Sequence, residues 1–213
     1  KELVNKYEVI FTYHHNEEKA LEITSKYHIN GYYLDLGDKE SIEKLVDSID
    51  NIDILINNAA IFLDNSFEDK TYIEFSKVVN VNLTGTYYLT KLLSKKINNG
   101  GNILFISSTN GIDTYYIESI DYDASKAGVI SLMHNFAKQL APIRVNAIAP
   151  GWVDTEMNAS MSDKFKKKEE EHILLKRFAS PEEISKVINF VVSDDASYIN
   201  DTVIRVDGGV NNG

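Results

Sequence analysis

Residues 52–60 read Ile-Asp-Ile-Leu-Ile-Asn-Asn-Ala-Ala, a short apolar strand pattern that runs straight into two asparagines. The same pattern recurs at 102–108, where Asn-Ile-Leu-Phe-Ile is followed directly by Ser107 and Ser108. Nearly continuous apolar strands are typical of a parallel sheet that is covered by helices on both faces. The two stretches therefore predict buried parallel strands whose last residues present polar side chains at one edge.

Apolar strand patterns alternate with helical patterns on both sides of these stretches. Further strands are predicted at Val9–Tyr13, Gly31–Asp35, Arg144–Ala149 and Val203–Val206. Helices are predicted at Asn16–Tyr27, Asp38–Ile49, 68–97 with an interruption at Asn80–Gly85, Tyr122–Leu140, and after the capping box Ser180–Glu183. This alternation predicts an α/β fold: one domain over residues 1–213, with a Rossmann-like, doubly wound parallel sheet in a three-layer αβα arrangement.

Composition excludes several classes of function. The chain has 213 residues, with 22 basic and 32 acidic side chains and a formal charge of −10, which argues against nucleic acid or an anionic membrane as the main partner. Because cysteine is absent, no disulfide or thiolate zinc site is expected, and no metal site is predicted. No apolar run approaches the ~20 residues of a membrane span. We expect a cytoplasmic enzyme or binding domain.

Tyr122 and Lys126 form the first candidate catalytic pair. Residues i and i+4 of a helix share one face, so the ammonium should lie near the phenol. A nearby cation can lower a phenol pKa of ~10 by ~1–3 units, which would make the pair an acid/base for a carbonyl or an alcohol. Tyr87 and Lys91 have the same spacing, but no polar strand end precedes them, so packing is the favoured interpretation there.

The motifs together resemble those of the single-domain short-chain dehydrogenases/reductases. They occur in the family's order along the whole chain: Asp35-Leu36, Asn57-Asn58-Ala59-Ala60, Val81-Asn82-Leu83, Ser107-Ser108-x-x-Gly111, Tyr122-x-x-x-Lys126 and Pro150-Gly151-Trp152-Val153-Asp154-Thr155. Each motif is weak alone, and the collinear set is specific.

The resemblance implies four catalytic residues. Tyr122 would protonate the carbonyl oxygen as hydride arrives, and Ser108 would hydrogen-bond the same oxygen. Lys126 would lower the pKa of Tyr122 and bind the nicotinamide ribose, while Asn82 would hold a water that connects Lys126 to solvent. From the residues alone, Ser108 could instead satisfy strand-end amides, and Asn82 could be an ordinary solvated or back-bonded amide.

The resemblance also implies a cofactor cleft at the strand ends. Asp35 would contact the adenine, Asn58 the adenosine side, and Val153 and Thr155 the nicotinamide carboxamide. Leu36, Ala59 and Pro150, with Tyr122 and Lys126, complete the cofactor set on this side. A turn acid at Asp35 and a simple turn at Asn57-Asn58 remain open alternatives.

Cofactor choice depends on the end of the first strand. Relatives that prefer NAD(H) place an acid there, whereas this chain has Thr12-Tyr13-His14-His15-Asn16. Hydroxyl, imidazole and amide donors suit a 2′-phosphate better than a carboxylate would. We therefore predict NADP(H) rather than NAD(H), bound through Thr12, His14 and Asn16, although the two histidines could equally be solvated loop residues.

Two departures from the family pattern stand out. Ala60 replaces a glycine, and the family's opening strand with its T-G-x-x-x-G-x-G phosphate loop is not in the sequence. Lys1–Lys6 matches only the end of the helix that would follow that loop. The expectation is a chain that is incomplete at its N-terminus by ~20–25 residues of a dinucleotide-binding fold.

The sequence indicates the class of reaction more clearly than the class of substrate. The chain most resembles bacterial 3-oxoacyl-[acyl-carrier-protein] reductases, through Phe178-Ala179-Ser180-Pro181-Glu182-Glu183. This implies reduction of an acyl thioester, with acyl carrier protein as a candidate partner. Another ketone, sugar or alcohol remains open, as does a catalytically silent nucleotide-sensing or scaffold protein.

Three further expectations concern surfaces. Trp152 and residues 157–175 should form a substrate lid. The Lys164–Glu171 stretch is interpreted as a solvated helix rather than a docking patch. Relatives are usually tetramers, and pairing is expected through 68–97, whose apolar residues are more than one buried stripe would need: Val78, Val79, Leu83, Leu89, Leu92 and Leu93.

Overall fold

The computed structural model describes residues 2–155 and 161–210, in which strands and helices alternate. The strands are β1 Ile10–Tyr13, β2 Asn30–Tyr33, β3 Ile52–Asn57, β4 Ile97–Ile106, β5 Arg144–Pro150 and β6 Val203–Val206. The α-helices are α1 Glu17–Tyr27, α2 Lys39–Asp47, α3 Tyr72–Val79, α4 Thr86–Leu93, α5 Ile120–Leu140, α6 Asp163–His172 and α7 Pro181–Val192. Within this part of the chain, no helix has the length and apolar character needed to cross a bilayer.

All strand pairs are parallel. Strands β3, β4, β5 and β6 pair in that order, and β1 pairs with β2 in a second, two-stranded sheet. Among the described strands, none joins β1 to β3; ahead of β1, Lys6 and Tyr7 donate to the Leu3 carbonyl in a turn. The predicted α/β architecture with a parallel sheet is confirmed.

The faces of the larger sheet are covered by different helices. Along β4, Ile103 and Phe105 pack against the side of α5 that carries Met133, whereas Leu104 packs with Ile184 of α7 on the opposite face. This alternation follows from the two-residue period of a strand. The result is the predicted helix–sheet–helix layering.

A third cluster packs the two-stranded sheet against the larger one. Leu34 and Leu36, which follow β2, are buried with residues of α2, α4 and β3. Gly85 makes this close approach possible, because a Cβ there would lie 2.0 Å from the Leu36 carbonyl oxygen.

The predicted interruption at Asn80–Gly85 is a turn of π-helix between α3 and α4. Such turns are frequent at functional sites. The tetramer expected through this region stays a prediction. The six apolar residues on which it was based are buried or half-buried within the monomer: Val78, Val79, Leu83, Leu89, Leu92 and Leu93. The large exposed apolar side chains here are Tyr72, Ile73, Phe75 and Tyr87.

Candidate active site

A cavity of about 1030 Å³ opens at the carboxyl edge of β3, β4 and β5. Parallel sheets bind ligands at this edge. Predicted site residues that line it are Asn58, Ala59, Ser108, Tyr122, Lys126, Pro150, Val153 and Thr155. The structure therefore brings three of the four predicted catalytic residues, Ser108, Tyr122 and Lys126, to one chamber with the predicted nicotinamide-side residues, whereas Asn82 is not part of its lining.

Ser108 is positioned by a tight contact between the loop after β4 and helix α5. The Ser107 hydroxyl donates to the Lys126 carbonyl at 2.9 Å, so Ser107 has the structural role and Ser108 remains in the chamber. Gly111 ends the one-turn helix that follows, and a Cβ there would lie 2.6 Å from the carbonyl carbon of Lys126. A side chain at this position would push Ser108 away from Tyr122.

Tyr122 and Lys126 lie one turn apart near the start of α5. Lys126 Nζ lies 5.4 Å from the centroid of the Tyr122 ring and donates to the Ile106 carbonyl at 2.8 Å. The lysine side chain is buried, and this burial lowers its pKa to about 8. Lys126 is therefore still mostly protonated at pH 7 and loses its proton about one pH unit above neutral.

The prediction that Lys126 lowers the pKa of Tyr122 is wrong for this structure. Burial raises the pKa of the phenol to about 12; the hydrogen bond with Ser108 opposes this shift, and the negative charge of Asp123 adds to it. The ammonium points to the Ile106 carbonyl and lies over the ring rather than against the phenol oxygen. Desolvation is the largest cause of the shift, and Lys126 is not among the groups that act on this pKa.

Asn82 has a different environment from the one expected. Its side chain is 2% exposed, donates to the Ile61 carbonyl at 2.8 Å and to Ser125 Oγ at 3.1 Å, and accepts from the Ile61 amide at 2.8 Å. It therefore joins the loop after β3 to α5. A solvated amide is excluded, and the water-holding role of Asn82 stays a prediction.

Of the predicted adenosine-side residues, Asn58 lines the chamber, and the others lie outside its lining, at the ends of β1 and β2. His14 Nε2 lies 3.4 Å from Asp35 Oδ2, and Asp35 Oδ1 also accepts from the Gly37 amide at 2.7 Å. Asn16 caps α1 by accepting from the Lys19 amide at 2.9 Å. The turn-acid and capping roles of Asp35 and Asn16 are thus present, and cofactor contacts by these residues stay predictions.

The other predicted cofactor residues at the ends of β1 and β2 differ in how exposed their side chains are. Thr12 is exposed at the end of β1, and the ring of His14 stacks on His15 with centroids 3.7 Å apart. The Leu36 side chain is buried in the core, so only its main chain could reach a cofactor.

Aromatic side chains form the outer wall of the chamber. Tyr116, Trp152 and Phe165 meet edge to face with centroids 5.9 to 6.4 Å apart. Trp152 Nε1 donates to Glu169 of α6 at 3.3 Å. Helix α6 thus contributes a chamber-facing side, which the interpretation of Lys164–Glu171 as a solvated helix did not include; the substrate lid expected over 157–175 stays a prediction. Of the predicted lid, 157–160 lie outside the described residues.

A polar network behind Ser108 was also missed. Ser108 Oγ donates to Asn110 Oδ1 at 3.1 Å, and Asn110 Nδ2 donates to Asp123 Oδ1 at 2.7 Å. Both residues stand inside the motifs that carried the prediction. The available signal was a carboxylate next to Tyr122 and an amide two residues after Ser108.

The chemistry of the chamber fits a dinucleotide-dependent carbonyl reaction. The donors of Ser108, Tyr122 and Lys126 share one end of the cavity, and the strand-end residues Asn58 and Val153 line it beside them. A family model described as enoyl-(acyl carrier protein) reductase matches residues 4–211. The chain belongs to the short-chain dehydrogenase/reductase family, an oxidoreductase family that interconverts carbonyl and alcohol groups.

Named relatives agree with this assignment. The chain is 41% identical over 201 residues to the 3-oxoacyl-[acyl-carrier-protein] reductase FabG of Aquifex aeolicus, covering 90% of this chain and 81% of that protein. It is 37% identical over 190 residues to FabG of Thermotoga maritima, covering 85% and 77%. The predicted resemblance is confirmed.

Solved structures share the fold. A short-chain dehydrogenase from Burkholderia cenocepacia in complex with NADP has a TM-score of 0.91 at 25% identity, covering 98% of this chain and 89% of that one. BdcA in complex with NADPH has a TM-score of 0.93 at 22% identity, covering 99% and 87%, and this likeness concerns the fold alone.

Proposed function

We propose that the protein is an NADP(H)-dependent reductase of 3-oxoacyl thioesters, which converts the 3-oxo group to an alcohol. The observation that carries the proposal is that Ser108, Tyr122 and Lys126 line one chamber, which also has an aromatic wall. Relatives at 37% and 41% identity are named for this reaction. Acyl carrier protein is the proposed carrier of the substrate.

The proposed roles follow from the donors present. Tyr122, whose pKa of about 12 keeps it protonated at neutral pH, gives its proton to the substrate oxygen. Ser108 donates a hydrogen bond to the same oxygen and stabilises its developing charge. Lys126 holds a proton behind Tyr122 and binds the ribose beside it. The nicotinamide cofactor supplies the hydride when bound.

Preference for NADP(H) is proposed from the end of β1. The sequence has no acid there, and the carboxylate beside His14 is that of Asp35 at 3.4 Å; Thr12 and His14 are exposed and can donate to a phosphate. The neighbour from Burkholderia cenocepacia is described as an NADP complex. Val153 and Thr155 would hold the nicotinamide carboxamide, with Ala59 and Pro150 beside the cofactor, while Asn58 would lie on the adenosine side and Asp35 at the adenine.

The substrate chamber supports an apolar acyl chain. Phe62, Tyr116, Trp152 and Phe165 supply its apolar surface. The nearby Asp113 is paired with Arg205 at 2.7 Å and Glu169 with Trp152, so these carboxylates are already engaged. An acyl chain beyond the reacting carbonyl can therefore lie on aromatic side chains.

Turnover with a defined substrate tests the proposal. Purified protein should oxidise NADPH in the presence of a short 3-oxoacyl thioester, and Tyr122→Phe should abolish this activity while leaving NADPH binding intact. Turnover of other ketones or sugars but not of the thioester would reassign the substrate. NADPH binding without turnover of any carbonyl or alcohol would favour the nucleotide-sensing alternative and refute the enzyme.

A further inference from the structure

The hydroxyl of Ser108 is held in a directional chain of hydrogen bonds that ends at a buried carboxylate. Ser108 Oγ donates to Asn110 Oδ1 at 3.1 Å, and Asn110 Nδ2 donates to Asp123 Oδ1 at 2.7 Å. The main-chain N–H of Asn110 also donates to Ser108 Oγ at 3.2 Å. Residues 13 positions apart are thus joined across the loop and helix α5.

Asp123 is fixed as the acceptor end of this chain. Its side chain is buried and accepts three bonds: from Asn110, from Ser119 Oγ at 2.9 Å, and from the Tyr116 amide at 3.2 Å. An ionised carboxylate has no proton to donate. The group of Asn110 that faces it must therefore be the amide NH₂.

The orientation of Asn110 then decides the direction of the Ser108 proton. With its NH₂ turned to Asp123, Asn110 presents its carbonyl oxygen to Ser108, and this oxygen can only accept. The Ser108 proton therefore points to Asn110, while the oxygen of the hydroxyl remains directed to Tyr122 and the chamber. A substrate oxygen that enters the chamber finds a hydroxyl in one defined rotamer, which needs a single rotation to donate to it.

We propose that Asp123 and Asn110 are positioning residues for Ser108, with Asp123 fixing the amide of Asn110 and Asn110 fixing the hydroxyl. The inference rests on the proposed function, because Ser108 is its catalytic endpoint. Neither residue needs to touch the substrate in this role. The effect of Asn110 passes through Ser108, which makes it separable from a general loss of structure; the charge of Asp123 also acts on the pKa of Tyr122, so Asn110→Leu is the cleaner of the two probes.

The test is a set of single and combined variants assayed for NADPH oxidation with a short 3-oxoacyl thioester. Ser108→Ala removes a donor to the reacting oxygen, and a loss of about 10²-fold in kcat is expected. Asp123→Asn and Asn110→Leu should each lower kcat by about tenfold, as is common for residues that orient a catalytic group, with both KM values within about twofold. Neither should lower kcat further when combined with Ser108→Ala.

Exchanging the residues at positions 110 and 123 tests whether the chain of hydrogen bonds to Ser108 can be restored. In Asn110→Asp/Asp123→Asn, the carboxylate at 110 accepts from Ser108 and from the amide at 123, so the chain is restored with its charge moved to the other partner. This variant should recover most of the activity that Asn110→Asp loses. Ser119→Ala is the matched control, because it removes a bond to Asp123 without touching the Asn110 arm; its kcat should change less than about threefold.

The outcomes separate the two proposals. A wild type without turnover overturns the proposed function and this inference with it. The positioning role alone is overturned by a different set of results. In that case the wild type turns over and requires Tyr122, but Asp123→Asn lowers kcat by the same factor in the Ser108→Ala background as in the wild type, and the exchange of residues 110 and 123 recovers no activity. Asn110→Leu keeps the loop bonds of Asp123 and so still tests the positioning role if Asp123→Asn does not fold.

Discussion

Lys70 Nζ lies 3.0 Å from Asp121 Oδ2, with the two side chains 5% and 0% exposed. Asp121 immediately precedes Tyr122, whose amide donates to Asp121 Oδ1 at 2.9 Å. Lys70 also donates to the carbonyl of Leu63. This buried ion pair therefore ties the loop after β3 to the first turn of α5, where the tyrosine is placed.

Asp121→Asn should destabilise the protein by about 3 kcal/mol, at the lower end of the range for breaking a buried pair, because an amide oxygen can still accept from Lys70. Urea unfolding at pH 7 measures the change. Lys70→Met/Asp121→Asn should recover part of the loss, since no buried charge is left unpaired. A change below about 0.5 kcal/mol, roughly that of an exposed pair, would contradict the structural role.

Gly111→Ala should lower both stability and turnover. A Cβ at this position meets the main chain of Lys126 at 2.6 Å, and a main chain cannot turn aside as a flexible side chain can. We expect a loss of about 1–3 kcal/mol together with displacement of Ser108 and a kcat lower by tenfold or more.

Gly100→Ala is the matched control for Gly111→Ala. Gly100 has a φ of +82°, and a Cβ added there would meet no heavy atom within 4 Å, so its cost is conformational, about 1 kcal/mol. Its kcat should equal that of the wild type. Equal kcat losses in the two variants would show that the contact with Lys126 does not position Ser108.

Local patterns were sufficient for most of the fold. The strand Val203–Val206 has the predicted bounds, and the capping box of Ser180 and Glu183 begins α7 as its residue types indicate. Strand β4 is longer than predicted, because Ile97 already pairs with Ile52 of β3; Asn98–Gly101, which has no apolar pattern, lies at the irregularity between this pair and the pair of Ile54 with Asn102. Such pairing is a tertiary effect that no local window contains.

The site was predictable only in its residue types. Spacing alone placed Tyr122 and Lys126 on one face, as observed. It could not show how far three layers of structure bury both groups, and this burial reverses the predicted direction of the tyrosine pKa. The bond between Asn110 and Asp123 depends likewise on how the intervening loop folds back on α5.

Thr12→Asp should weaken NADPH binding by about tenfold and change NADH binding by less than about threefold. A carboxylate at the end of β1 would face the 2′-phosphate, and two like charges about 4 Å apart in water repel by about 1 kcal/mol. Kd values from fluorescence titration of both cofactors give the comparison. Thr12→Asn, neutral and of the same shape as aspartate, should bind NADPH nearly as the wild type does. An unchanged NADPH Kd in Thr12→Asp would show that the phosphate lies elsewhere.

The predicted tetramer can be tested at Tyr87, which is 38% exposed on α4 and lies 6.2 Å from Phe136 of α5, centroid to centroid. A subunit interface through this region would bury the ring. Tyr87→Glu should therefore shift sedimentation to smaller species. Leu21→Glu, a change at an equally apolar but 63% exposed position on α1, should not. A wild type that sediments as a monomer at micromolar concentration would contradict the expectation.

Lys126 should make stability depend on pH in the alkaline range. Its pKa is 10.5 when unfolded and about 8 in the fold, so between these values the unfolded chain binds a proton that the folded chain does not. Stability must then rise with pH through this window, and the buried charge costs about 3 kcal/mol below it. Tyr122 acts oppositely, but only above pH 10, because its pKa rises from 10.0 to about 12.

The comparison of wild type with Lys126→Met isolates this contribution, because the other lysines and tyrosines titrate in both proteins. At pH 7 the variant should be more stable by about 3 kcal/mol, since a buried charge is replaced by an apolar chain of similar length. By about pH 9.5 the wild type should recover about 2 kcal/mol of that difference. Urea unfolding at both pH values measures it. A difference that stays constant would show that Lys126 remains charged in the fold, held by the carbonyl of Ile106 against the cost of burial.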